Sequence, residues 1–292
     1  MSVIMLELNE VNFDFVRAYA AKGELPTLAR LIDRHGIQET ESEQKYEELE
    51  PWIQWVTAHT GMTLAEHGVF RLGDIVDRDD ITQIWEVLER QGIAVAAMSP
   101  MNAVNRCSDT KLFLPDPWTP APTTAPAIVR RLYATVAKAV NDNAEGKMDA
   151  KSALDLLAGA AAYARPVNYT QYVSLAAQAA RGSEWTKAMF LDLLLTDVFT
   201  RSVKSSKPGF SSLFLNAAAH IQHHYMFNAS VYDGPHANPD WYIDADADPI
   251  LAVYGLYDRI VAQIERSFPS TRLMLATGLH QDPYPHLTYY WR

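Results

Sequence analysis

The feature that most constrains this chain is the alternation of short apolar runs with helical repeats over its first hundred residues. SVIMLEL (2–8) is a strand signal that ends at Asn9-Glu10. In NFDFVRAYAA, Phe13, Val16 and Ala20 fall on one helical face; in LPTLARLIDRHG, Leu28, Leu31 and Ile32 do the same before Gly36 stops the helix. IQETES (37–42) reads as a second strand, and helix DITQIWEVLERQG leads through Gly92 into strand IAVAAMSP. Such alternation predicts a parallel, doubly wound α/β sheet, because parallel neighbours need a crossover, usually helical, between them.

The texture then changes. The prolines of LPDPWTPAPTTAP (114–126) make a stiff, extended connector. From about 126 to 204 the sequence is almost wholly helical, with Val129, Leu132, Val136 and Val140 spaced by three and four. This predicts an α/β core of residues 1–115 and 205–292 that carries a helical cap, 116–204, over the strand ends. FSSLFLNAAA resumes the sheet, helix DPILAVYGLYDRIVAQIERSF follows, and RLMLATGL is the last strand.

Lys and Arg number 25 against 35 Asp and Glu, a formal charge of −10. That field repels phosphate backbones and argues against nucleic-acid binding. The single cysteine, Cys107, excludes internal disulfides and cysteine-rich zinc modules. The N-terminus lacks a basic region, Glu7 and Asn9 interrupt its apolar run, and no apolar stretch is long enough for a bilayer. The expectation is a cytoplasmic protein with no membrane partner. In open parallel sheets ligands bind beyond the carboxyl ends of strands. The ends to inspect are Asn9-Glu10, Ser99-Pro100, Ala219-His220 and Gly278-His280.

Several of these segments resemble the alkaline phosphatase superfamily, and within it the type I phosphodiesterase and nucleotide pyrophosphatase-like branch. LELNEVNFDFVRAYAAKGELPTLARLIDRHG is similar to that branch's opening strand, helix and LPNLxRLxxxG segment. WVTAHTGMTLAEHGVF resembles its TGxxPxxHG block through Thr60, Gly61, His67 and Gly68. LYDRIVAQIERSF, with Asp258, resembles the helix before its last metal-bearing strand, and LMLATGLH occupies the place of that strand. The resemblance implies a three-layer fold and chemistry on phosphate-containing esters with two divalent metals and a Ser, Thr or modified Cys nucleophile. The sequence departs from that pattern where the chemistry lies. Asn9 stands where the family has Asp, and Pro51 occupies the nucleophile position. Ala219-His220-Ile221-Gln222-His223 replaces Asp-x-x-x-His, and Thr277-Gly278-Leu279-His280 replaces SDHG. The family's sheet continues further and supplies one more His, whereas this sequence ends at Tyr290-Trp291-Arg292.

Candidate chemistry gathers on the histidines. His220 and His224, at helical spacing i, i+4, could share a metal with His223 and with His280 of the neighbouring strand. Asn9 and Glu10, or Glu7, would add oxygen ligands. A nitrogen-rich set suits zinc, manganese or iron better than calcium. The same histidines could instead bond to backbone or hold a substrate phosphate without metal. Glu50, next to Pro51, is a candidate general base, and with Glu47 and Glu48 equally a solvated cap for the helix that follows. Thr57 is a candidate replacement hydroxyl, or a residue back-bonded within its helix. Trp52, Trp55 and Trp118 could wall a pocket for a ring or belong to the core. Three functions follow. One is a divergent metal-dependent hydrolase or transferase acting on a small phosphorylated or anionic ester, water being the nucleophile. The second is a degenerate family member that binds an anionic small molecule or a protein partner. The third is a metal-free site working through His and Glu.

Overall fold

The computed structural model describes residues 2–141 and 150–284, so Tyr290-Trp291-Arg292 lie outside it. Five strands form one parallel sheet in the order β3-β2-β4-β1-β5: β1 Val3–Leu8, β2 Val95–Met98, β3 Leu112–Leu114, β4 Phe210–Leu215 and β5 Arg272–Ala276. The helices are α1 Phe13–Ala21, α2 Pro26–His35, α3 Pro51–Thr60, α4 Leu64–His67, α5 Ile84–Arg90, α6 Ala127–Asn141, α7 Ala150–Tyr163, α8 Tyr169–Ala180, α9 Thr186–Ser206, α10 Ala217–Tyr225 and α11 Pro249–Ser267. β1 lies between β4, with Val3 opposite Phe210, and β5, with Val3 opposite Arg272.

Side chains alternate across a strand, and here both faces are covered. Ile4, Leu6, Leu8, Ala96, Met98, Leu213 and Leu215 point to one layer, built from α1, α2, α6 and α8–α11. Met5, Val95, Ala97, Phe113, Phe210 and Phe214 point to the other, where Trp55 of α3 and Trp85 of α5 are fully buried. The result is a three-layer α/β sandwich. Each fully buried Leu, Ile or Phe contributes about 1.5–3 kcal/mol of transfer free energy.

Three local expectations are corrected. IQETES forms no strand: five of its six residues are polar and exposed, so the segment has no apolar face to bury. Leu112–Leu114 forms an edge strand directly before the proline connector, too short a run to stand out from it. FSSLFLNAAA is strand only to Leu215; Ala217 already opens α10, so His220 sits one turn into a helix and not at a strand end.

The helical segment shares the sheet's core. Val129 of α6, Leu175 of α8 and Leu193 and Val198 of α9 belong to the cluster that holds Leu6 and Leu213. α9 also caps α10. Asp192 is fully buried and accepts the backbone N–H of Asn216 (3.4 Å) and Ala217 (2.8 Å), with Tyr257 donating its hydroxyl at 2.7 Å. These bonds satisfy donors that a helix start leaves unpaired. Burial nevertheless dominates and raises the Asp192 carboxyl to about 6, against hydrogen bonds that lower it. A raised folded-state carboxyl pKa means that the native protein binds the extra proton, so stability falls as pH rises from about 4 to 6. In denaturant titrations across that window, Asp192→Asn should lose this slope relative to the parent. Equal slopes would show that Asp192 ionises no less readily folded than unfolded.

Candidate functional site

β1 ends in a backbone turn that side chains rarely adopt: Glu10 has φ +58°. Left-handed geometry at a non-glycine residue costs about 1–2 kcal/mol and persists only where its surroundings fix it. Three bonds do so. Glu10 N–H donates to Thr277 O (3.2 Å), and its carbonyl accepts from Gln281 N (3.1 Å) and Gln222 Nε2 (2.7 Å). The ends of β1 and β5 and one face of α10 are thereby tied at one point, and Glu10 pairs in parallel with His280.

The side chains around that point form a network. Trp55 Nε1 donates to Asn9 Oδ1 at 2.7 Å, and Asn9 Nδ2 donates to Asn216 Oδ1 at 2.9 Å and to Glu10 Oε1 at 3.4 Å. Asn12 caps α1 by accepting from the N–H of Asp14 and Phe15, while its amide donates to Gln281 O and Asp282 Oδ1. Tyr254 of α11 donates to Gln222 Oε1 and accepts from Asn12 N–H. Above the network opens a cavity of about 490 Å³, whose walls include Glu10, Glu50, Trp52, Gln222, His223, His280 and Asp282. Between α2 on one layer and α3 on the other the chain must pass the sheet, and Tyr46, Leu49 and Glu50 of that passage complete the rim.

Two histidine–carboxylate pairs face this cavity. His223 Nε2 lies 3.4 Å from Glu10 Oε2, and His280 Nε2 lies 3.3 Å from Asp282 Oδ1. The second pair is more than half exposed on both sides and contributes little by itself. The first is anchored, since the Glu10 side chain is only 6% exposed. Burial acts to lower the His223 pKa; the hydrogen bond to Glu10, its charge and that of Glu50 outweigh this, and the imidazole ends above its ordinary value. The Glu50 carboxyl is raised by burial and by the Glu10 charge, with His223 partly offsetting them.

The expected four-histidine cage does not assemble. Among the described residues no three His, Cys, Asp or Glu side chains come together as ligands for one ion. His220 and His224 pack against each other at 5.7 Å between ring centroids, and His224 Nδ1 meets Tyr242 OH at 3.0 Å. His220 does not line the cavity; burial, then its two histidine neighbours, pulls its pKa down to about 4. Asn9 uses its oxygen on Trp55, and Glu7 lies under the sheet's second layer against His59. The donors present thus do not fit the two-metal site that the resemblance implies.

Thr57 is not brought to the cavity either. Its hydroxyl meets His67 Nε2 at 3.1 Å, while His67 Nδ1 accepts from Val69 N–H at 3.0 Å. That bond leaves the His67 proton on Nε2, which donates to Thr57 and cannot deprotonate it. Burial keeps His67 below its usual pKa. Of the three tryptophans, Trp52 lines the cavity, Trp55 is buried in the network and Trp118 packs beside the second-layer core. The Cys107 thiol is pushed up to about 12, first by burial, which disfavours the reactive thiolate. Sequence reasoning missed Gln222, Asn12, Tyr254, Gln281 and Asp282. Only Asn12, the helix-capping residue that opens NFDF, left a readable signal.

A solved phosphonoacetate hydrolase from Sinorhizobium meliloti 1021, in complex with phosphonoformate, superposes on this chain with a TM-score of 0.51 and 14% identity. The match covers 95% of this chain and 56% of that one. The fold is of the alkaline phosphatase type. This chain therefore spans little more than half the length of the hydrolase it matches. No protein-family model matches the sequence, and no curated protein sequence matches it significantly. No helix among the described residues is long and apolar enough to cross a membrane.

Gly278, just after β5, allows the network to close. It holds φ +74°, and a Cβ there would stand 2.7 Å from Trp55 Cε2. Gly278→Ala should cost about 2–4 kcal/mol from backbone strain and overpacking and shift the tryptophan emission. A loss under about 0.5 kcal/mol, typical of a neutral surface change, would mean that Trp55 is not seated against this turn.

Proposed function

We propose that the cavity hydrolyses a small ester of a phosphorus oxoacid by general acid–base catalysis, with water as the nucleophile. The Glu10–His223–Glu50 grouping at the end of the central strand carries this reading. Two titratable groups of opposite charge type, both shifted upward by their surroundings, supply an acid and a base in one cavity. His223, kept protonated by Glu10, donates to the phosphoryl or leaving oxygen. Glu50 takes the proton from the attacking water. The cavity lining holds no serine or threonine among the described residues, so no covalent phosphoryl-enzyme is invoked.

The fold supports the phosphorus assignment, since a phosphonoacetate hydrolase solved with phosphonoformate shares it. The motifs LELNEVNFDF and TGMTLAEHG support a divergent relation to the type I phosphodiesterase branch. Residues 1–115 and 205–292 act as the core in this reading, and 116–204 as an insertion whose α9 braces α10. The charge balance narrows the substrate. Glu10, Glu50 and Asp282 share the lining with three histidines, His223, His224 and His280, and with no Lys or Arg among the described lining residues. A singly charged diester or phosphonate monoester suits that field better than a phosphate dianion. The same observation favours a second reading, a degenerate member that binds such an anion without turnover.

Hydrolysis of bis(4-nitrophenyl) phosphate should show a bell-shaped pH profile, its lower limb set by Glu50 and its upper by His223. Glu50→Gln should abolish the lower limb and His223→Gln the upper, each with a loss of about 10²–10⁴-fold. Turnover that neither substitution changes would reject these roles. Saturable binding of phosphonoformate with no turnover in the parent would select the second reading.

A further inference from the structure

Beneath the cavity, in the layer between the sheet and α3, Glu7 and His59 form a polar pair that the proposed chemistry does not use. Their side chains are 0% and 2% exposed, and Glu7 Oε2 lies 3.1 Å from His59 Nε2. His59 is held between two indoles, its ring 5.7 Å from Trp55 and 4.8 Å from Trp85. Glu7 Oε1 and His59 Nδ1 have no hydrogen-bond partner among the described residues. An apolar pair of similar volume would fill this space without leaving buried polar atoms unmatched.

The pair supplies register. Side-chain bonds tie α3 to β1 at two rungs: Trp55 to Asn9 and His59 to Glu7. Four residues of helix rise about 6 Å, and two residues of strand about 6.6 Å. The spacing 55/59 on α3 therefore matches the spacing 9/7 on β1, with the helix running opposite to the strand. Sliding α3 by one residue would shift each donor by about 1.5 Å and turn it by about 100°, so one register satisfies both rungs. A turn beyond Trp55, the same helix begins at Glu50-Pro51-Trp52 on the cavity wall.

We propose that Glu7 and His59 are positioning residues that lock α3 in register on β1 and so hold Glu50 beside Glu10 and His223. The charged groups that raise His223 are Glu10 and Glu50, its own helix also carries His220 and His224, and Glu50 is the one that α3 carries. Histidine NMR titration of the full chain reads this directly. In the parent, Glu50→Gln should lower the His223 midpoint. In Glu7→Leu/His59→Leu the midpoint should start lower by about 0.5 pH unit or more, which lies within the normal spread of protein histidines, and Glu50→Gln should then add little. Glu7→Gln, which keeps an acceptor for His59 Nε2, should retain the parental titration. Glu7→Asp, which withdraws the carboxylate by one methylene, should move it in the direction of the leucine pair; it decides the matter alone if the double variant does not fold. A parental His223 midpoint and a parental response to Glu50→Gln in the folded variants would overturn the proposal. The readout needs no substrate, so an absence of hydrolysis and an absence of positioning are separate results.

Discussion

Everything at the candidate site hangs from the carboxyl end of β1, and β1 is fixed because it is paired on both sides and packed on both faces. A strand so confined cannot slip: a one-residue shift would exchange Ile4, Leu6 and Leu8 for Val3, Met5 and Glu7 between the two layers. That rigidity fixes Glu10 in its left-handed turn and gives its carboxylate one direction. The sheet provides the fixed reference, and α3, α10 and the loop after β5 are each bonded to it near that single residue.

The architecture was legible because it rests on periodicity. The run SVIMLEL, the helical repeats of NFDFVRAYAA and LPTLARLIDRHG, and the long helix after Asp248 each show their burial pattern in one dimension. Failures occurred where local composition outweighed tertiary context. IQETES has the length of a strand and no face to bury. The strand Leu112–Leu114 is only three residues long. The alanines after Asn216 read equally well as strand or helix until Asp192, from a distant helix, caps them.

The site was legible only in outline. Glu10, Glu50, His223, His224 and His280 were singled out in the sequence, and all five line the cavity. What failed was the assumption that histidines close in sequence converge in space. On α10 the successive positions 220, 223 and 224 fan around the axis by about 100° per residue, so His223 reaches Glu10 while His220 and His224 keep each other's company. Gln222 and Tyr254 were invisible because their role is to satisfy backbone groups brought together by folding alone.

The rim drawn from the irregular passage before α3 has a consequence for how such a site changes. Tyr46 and Leu49 carry almost none of the core, so replacing or lengthening that stretch alters what the cavity admits while the strands beneath it remain undisturbed. Selectivity and foldability are written in different parts of the chain. A library confined to residues 37–49 could therefore diversify ligand preference without first having to solve the problem of making a stable protein.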